Sequence, residues 1–282
     1  VIEKNFSEVK LTQEKKNCGF ARSHNLIIGQ TGNDYILVLN QDIVLESSYL
    51  ERLVNFLDQH PRVAAVSGKL LQLKDGQKTS IIDSLGHKIY KTQQVVEIST
   101  GRKDDLPANY VEEIFSLPAT ATLYRRKALE EIKVDGQYFD EDFFSYKEDV
   151  DLGYRLRLAG WQTWLIGEVA VFHDRSAKGV NAGVSLAVAK NRYLRSEYIK
   201  LHSYKNHLFV LIKNLTWYNL FWCFPYILSY ELAKFFYLLF FETRTLSSTP
   251  LIFQNFGKMI KKRKVIMSNK KISNQELFRW FK

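Results

Sequence analysis

TGNDYILVLNQDIVLESSYLERLVNFLDQHPRVAAVS, residues 31–67, is the stretch that decides the fold. The turn signal Thr31-Gly32-Asn33-Asp34 leads into the apolar run Tyr35–Leu39, which reads as a buried strand of a sheet covered on both faces. Leu50, Leu53, Val54 and Leu57 then recur at helical spacing, so a helix is expected from about Ser48 to Gln59, stopped at His60-Pro61. Val63–Ser67 reads as the next strand. Strand, helix, strand is the pattern of an α/β protein with a mixed, mostly parallel sheet and helices on both faces. Asn40-Gln41-Asp42 falls at the carboxyl end of the first strand, where open α/β sheets bind ligands. Capping of the next turn is the plainer use of an aspartate there.

Working outward, Val9-Lys10-Leu11 is strand-like, Asn17-Cys18-Gly19 reads as a loop, and a helix is expected from about Phe20 to Gln30. From Leu70 to Glu113 the pattern loosens into short, polar, Gly-containing pieces, as in a loop-rich insertion over a sheet edge. Order returns with a strand at Ala119–Tyr124, a short helix at Arg126–Ile132, a helix from Glu148 closed by Gly160, and strand character from Trp164 to Phe172, ending in His173. A long helical stretch is expected from about Val184 to Asn214.

With 282 residues and 46% hydrophobic content, the chain can bury one large α/β core plus an appendage. Cys18 and Cys223 are its only cysteines, so there is no disulfide framework and no zinc ribbon, and a reducing compartment fits. The net charge of +10 is unevenly spread: from Lys258 onward nine basic residues face Glu276 alone, which leaves the body nearly neutral. A nucleic-acid binder would need basic residues interleaved with aromatics on a folded face, so nucleic acid is not an expected partner.

Twelve of the 39 aromatic residues lie between Trp217 and Phe241. Aromatics at that density fit the interfacial zone of a bilayer. The longest stretch without a formal charge, Asn214 to Tyr230, contains Pro225 and falls short of the ~20 apolar residues of a spanning helix. Helices lying in the interface, with the basic tail drawn to anionic lipid, are expected; a packed helical hairpin with aromatics facing the core is the other reading. The expected division is an α/β domain over 1–183, a helical, aromatic-rich, membrane-associating segment over 184–257, and a basic tail over 258–282.

Three features at element ends can carry chemistry: Asn40-Gln41-Asp42, Glu148-Asp149-Val150-Asp151 and His173. Singly, they read as a turn cap, first-turn carboxylates complementing a helix dipole, and a buried histidine. Together they can hold a divalent cation and a base on opposite sides of a substrate. Mg2+ takes one or two carboxylates plus substrate phosphates, and Mn2+ also accepts imidazole, so the set suits a diphosphate.

NCGFARSHNLIIGQTGNDYILVLNQD (residues 17–42), ATLYRRKALEEI (121–132), YFDEDFFSYKEDVDLGYRLRLAGW (138–161) and VFH (171–173) resemble the inverting family-2 glycosyltransferases of GT-A fold. Within that family the chain is most similar to the bacterial rhamnosyltransferase branch of cell-wall and surface polysaccharide assembly. The resemblance implies that Asp42 is the metal-coordinating carboxylate of an Asp-x-Asp motif whose first acid is here Asn40. It implies Asp149, within Glu148-Asp149, as catalytic base and His173 as a further metal ligand. Asn17, Gly19, Asn25, Asn40 and Gln41 would border the nucleotide.

The implied donor is dTDP-rhamnose, with a UDP-sugar as second choice, and the implied acceptor is a saccharide, free or on a polyprenyl carrier. Such a protein would sit in the cytoplasm against the inner face of the plasma membrane. The family begins with a strand and an acidic, Ser/Gly-rich turn that hold the nucleobase and ribose, so a further N-terminal piece is expected before Val1. A non-catalytic assembly module of the same fold is the alternative. Asp151 and Arg155 form an i,i+4 pair that orients the helix or reaches phosphate, and Tyr204-Lys205-Asn206 either meets an acceptor phosphate or lies on a solvated helix face.

Overall fold

The computed structural model describes residues 5–174 and 196–282. In chain order its elements are α1 (Gly19–Gly29), β1 (Tyr35–Leu39), β2 (Ile43–Leu45), α2 (Tyr49–Gln59), β3 (Val63–Lys74), β4 (Gln77–Ser84), β5 (His87–Ile89), β6 (Val95–Glu97), β7 (Val111–Glu113), β8 (Ala121–Arg125), α3 (Arg126–Glu131), α4 (Glu148–Leu158), β9 (Gln162–His173), α5 (Glu197–Asn214), α6 (Trp217–Phe241), α7 (Thr249–Ser268) and α8 (Asn274–Phe278). The α/β expectation and the β1–α2–β3 unit both hold. Val9 and Leu11, read as strand-like, lie exposed outside any strand. The start of the helical stretch expected from Val184 falls outside the described residues, and α5 supplies its end.

The main sheet has the order β1-β8-β3-β9-β2, with β4 added on β3 and β7 on β9. A mostly parallel sheet was expected, and here the structure corrects the sequence. β3 and β9 pair in parallel, whereas the other pairings of this sheet are antiparallel. β1, β3 and β9 do run in one direction, as crossover units require. After the long excursion that follows β3, however, β8 returns head to tail between β1 and β3, with Leu37 opposite Leu123 and Val66 opposite Leu123 on its two sides. A buried apolar run looks the same in either pairing, so its composition could not reveal the reversal.

The expected loop-rich insertion is also more ordered than its sequence suggested. β3 continues past Ser67 to Lys74 and folds back as a hairpin through Asp75-Gly76, with φ of 51° and 76°. A two-residue Asp-Gly turn is a strong hairpin signal, and it was present in the sequence.

Each face of the sheet is covered. Tyr49, Leu53 and Leu57 of α2 are fully buried against Val66, Leu70, Ala121, Leu123 and Val171, each burial contributing about 1.5–3 kcal/mol. On the opposite face Ala21 and Ile28 of α1, Ala128 and Leu129 of α3, and Leu152 and Leu156 of α4 pack on Ala65, Leu71 and Tyr124. The far side of α4, through Val150, Tyr154 and Leu158, joins a third cluster with Phe209, Cys223, Met259, Ile266, Leu277 and Phe281. α4 is thus sandwiched between the sheet and the C-terminal helices.

That packing corrects the picture of residues 258–282 as a basic tail. Met259, Lys262 and Ile266 of α7 are buried, and Phe281 forms a β-bridge with Ile89. Lys262 Nζ lies 2.5 Å from Asp140 Oδ1 and 2.7 Å from Asp142 Oδ2, and Lys213 Nζ pairs with Asp140 and, at 2.8 Å, with Asp151. The charge is therefore partly neutralised by acids of the α/β domain, which composition counted segment by segment conceals.

α6 runs unbroken through Pro225. It is 25 residues long and its most apolar 18-residue stretch has a mean hydropathy of 1.2, which by length and composition suffices to cross a bilayer; 11% of that stretch is buried. Trp217, Phe221, Trp222, Phe240 and Phe241 face outward, whereas Glu231 turns inward to His207 at 2.7 Å.

Candidate active site

Asp42 occupies the turn between β1 and β2. Antiparallel pairing sets Ile43 opposite His173, and the Asp174 amide donates to the Asp42 carbonyl at 2.9 Å, so the two strand ends carry Asp42 and His173 to one place. His173 Nε2 lies 3.3 Å from Asp42 Oδ2, and Nδ1 lies 2.8 Å from Asp83 Oδ2. Asp83 Oδ2 accepts a hydrogen bond from Nδ1–H, which leaves Nε2 to face Asp42.

Sequence reading missed Asp83, which sits in the stretch read as loose. Ser84 pairs with Leu70 and Ile82 with Leu71, so Asp83 is the extra residue of a β-bulge. Bulges re-aim side chains next to active sites, and this one turns a buried carboxylate onto the imidazole.

A cleft of about 370 Å³ is lined in part by Phe20, Asn40, Ser145, Tyr146, Glu148 and Asp149. Asn40 stands two residues before Asp42, and its amide donates to the Thr120 carbonyl at 2.9 Å. The sequence-distant Asn40 and Glu148-Asp149 are thereby brought to one cleft. Gln41 is exposed on the turn.

Glu148, Asp149 and Asp151 all fall in the first turn of α4, where the helix dipole favours negative charge. Their surroundings separate them. Asp149 Oδ1 accepts from the Val150 amide at 2.8 Å, and Oδ2 lies 3.9 Å from His87 Nε2, whose Nδ1 meets Ser116 Oγ at 2.9 Å. Glu148 is buried with Oε2 unpartnered; burial first, and the neighbouring Asp149 and Asp151 charges after it, push its carboxyl up to about 8. Asp151 is wholly buried, bonded by Arg155 Nε at 2.9 Å and Asn214 Nδ2 at 2.8 Å, so the Asp151–Arg155 pair is structural and does not reach a phosphate.

The expected nucleotide-bordering residues divide. Gly19 has φ +80°, its amide donates to Asn17 Oδ1 at 2.9 Å, and a Cβ there would stand 2.5 Å from the Phe144 carbonyl, so only glycine lets α1 approach the cleft wall. Asn25 is different. Its amide bonds the Phe139 backbone at 2.7 and 2.8 Å and Glu141 at 3.0 Å, which fastens α1 to the loop before α4 and spends the groups a nucleotide would need. Tyr204-Lys205-Asn206 also needs correcting as a phosphate cradle: Lys205 and Asn206 are buried and donate to backbone carbonyls of residues 142–146. The helical periodicity of α5 could not show which face meets that loop.

Among the described residues no group of three His, Cys, Asp or Glu side chains could by itself hold a metal ion. Asp42 and His173 are two suitable donors, and Asp42 Oδ1 is buried without a hydrogen-bond partner. A buried carboxylate oxygen without a donor is costly, and a cation completed by substrate phosphates would satisfy it.

Comparison with known proteins gives the family. Residues 2–196 match the family described as glycosyltransferase like family 2. N-acetylglucosaminyl-diphospho-decaprenol L-rhamnosyltransferase of Mycobacterium tuberculosis, in strains CDC 1551 / Oshkosh and ATCC 25618 / H37Rv, is 26% identical over 190 aligned positions, which cover 61% of this chain and 60% of the relative. The chain thus matches 60% of those curated relatives' length. A crystal structure of GalNAc-T7 with UDP, GalNAc and Mn2+ superposes with a TM-score of 0.60 at 12% identity, over 97% of this chain and 44% of that one, a likeness of fold.

Proposed function

The chain belongs to glycosyltransferase family 2, and from that premise we propose that it transfers rhamnose, with inversion, from dTDP-rhamnose to a hydroxyl of a polyprenyl-linked saccharide in bacterial surface polysaccharide assembly. The observation that carries this reading is that Asn40, two residues before the Asp42 that meets His173, lines one cleft with Glu148 and Asp149. Asp149 accepts the proton of the attacking hydroxyl, a task that typically contributes about 10²–10⁴-fold. Asp42 and His173 would hold a divalent cation, which would supply countercharge to the leaving diphosphate, with unit charges ~4 Å apart exchanging roughly 4 kcal/mol at an effective dielectric of 20. Asp83 keeps the His173 ring turned toward Asp42.

The outward aromatic face of α6 supports placement on a membrane, and the groove of Trp217, Leu220, Phe221, Trp222, Phe224 and Pro225 is apolar enough to accept acyl or prenyl chains. In this reading the protein works at the cytoplasmic face of the plasma membrane. The test is incubation with Mn2+, dTDP-rhamnose or UDP-sugars, and a diphospho-polyprenyl N-acetylglucosamine acceptor, with the product's anomeric configuration read by NMR. Transfer with retained configuration, or a rate unaffected by chelation of the metal, would overturn the proposal.

A further inference from the structure

The backbone that carries Glu148 and Asp149 into the cleft is strained. Phe144, Tyr146 and Lys147 all have positive φ, at 64°, 73° and 66°. Non-glycine residues adopt that region at a cost, and three within four positions need outside support. Around Phe144 (ψ −64°) the chain makes a γ-turn of the rarer, strained hand, with the Ser145 amide bonded to the Phe143 carbonyl at 2.8 Å. Lys147, at the N-cap of α4, is left-handed as well.

The support comes from a helix outside the α/β domain. Asn206 of α5 is fully buried, and its Nδ2 lies 2.9 Å from the Phe143 carbonyl, 2.8 Å from Ser145's and 2.7 Å from Tyr146's. Its Oδ1 is buried without a partner, so this amide serves purely as a donor to the loop. One residue earlier, Lys205 Nζ donates to the Asp142 carbonyl at 2.6 Å. Together these bonds tie four carbonyls between Asp142 and Tyr146 to α5.

We propose that Asn206 is a positioning residue: by clamping the 143–146 carbonyls it holds the left-handed loop that aims the first turn of α4, and hence Asp149, at the acceptor side of the cleft. The catalytic role of Asp149 rests on the function proposed above; the clamp itself does not. It gives the C-terminal helices a part in the chemistry besides any contact with a membrane.

The test uses the full chain with Asn206→Ala, Lys147→Gly and the double variant. Hydrogen exchange is followed at the amides of residues 144–149, and kcat and KM are measured with dTDP-rhamnose and Mn2+. Asn206→Ala is expected to speed exchange about tenfold in that loop and little elsewhere, and to lower kcat about 10–100-fold with donor KM changed less than about twofold, as misplacement of a reacting group does. Glycine adopts positive φ freely, so in the Lys147→Gly background the kcat loss from Asn206→Ala should shrink to about threefold or less. Exchange that rises evenly through α4 and the sheet, or an equal loss in both backgrounds, would overturn the clamp. If the wild-type chain releases no nucleoside diphosphate, the proposed reaction fails, and the exchange pattern alone decides the clamp. Asn206→Ser, which keeps one donor, replaces the alanine variant under the same criteria if that variant does not fold.

Discussion

His173 and Asp83 lie far apart in sequence and meet at 2.8 Å, Nδ1 to Oδ2, beneath the turn that carries Asp42. A carboxylate on the remote nitrogen fixes the ring's tautomer and orientation, and losing such a partner typically weakens metal binding about 10–100-fold. Asp83→Asn is expected to raise the Mn2+ concentration needed for half-maximal donor binding by that factor. Calorimetry on wild type and variant checks it, and an unchanged metal requirement would remove Asp83 from this role.

Asp42 and Asp149 should fail differently. Asp42→Ala is expected to abolish metal-dependent donor binding. Asp149→Asn is expected to keep donor binding nearly intact while transfer falls about 10²–10⁴-fold. Parallel titration calorimetry and product assays separate the two losses, and equal loss of binding in both would exclude Asp149 as the base.

Glu148 makes stability depend on pH. Its carboxyl is held up at about 8 in the fold, against 4.5 unperturbed, chiefly by burial. Between those values the folded state binds more protons than the unfolded chain, so this contribution is present at low pH and is lost as pH rises through the window. Glu148→Gln should therefore melt above wild type at pH 9, with the gap closing near pH 4. Calorimetric Tm values across that range test it; a gap that does not change with pH would refute it.

Lys262 joins the C-terminal helices to the α/β domain. Burial opposes ionisation of Asp140, but Lys213 and Lys262 more than offset it and hold that carboxyl well below the usual range. Lys262→Ala leaves Asp140 to Lys213 alone, at an expected cost of about 3 kcal/mol, or a fall in Tm of about 6–12 °C. Because a depressed pKa stabilises above the unfolded value, the gap should narrow as pH falls below 3.8. Denaturant unfolding at pH 7 and pH 3 measures both effects.

The α6 face makes a prediction about lipid. Phe221→Ser with Phe240→Ser, both at exposed positions, should weaken flotation with anionic vesicles while leaving Tm within about 1 °C. Binding that survives both substitutions but disappears in high salt would assign attachment to the basic residues instead.

The sequence by itself determined the β1–α2–β3 unit, the helices α1, α3 and α4, and the candidate residues at strand and helix ends, because apolar periodicity and Pro/Gly punctuation are local signals. The Asp-Gly turn of the β3–β4 hairpin was equally legible and was passed over within a polar stretch. Tertiary structure alone decided the rest. The reversed insertion of β8, the bulge that delivers Asp83, the turning of Asn25 and Asn206 onto loop backbone, and the folding of the basic tail against Asp140 and Asp142 all depend on which distant surfaces meet. A hydrogen-bonding side chain looks the same in sequence whether its partner is a ligand, water or a carbonyl more than a hundred residues away; burial makes that choice, and burial is a property of the packed chain.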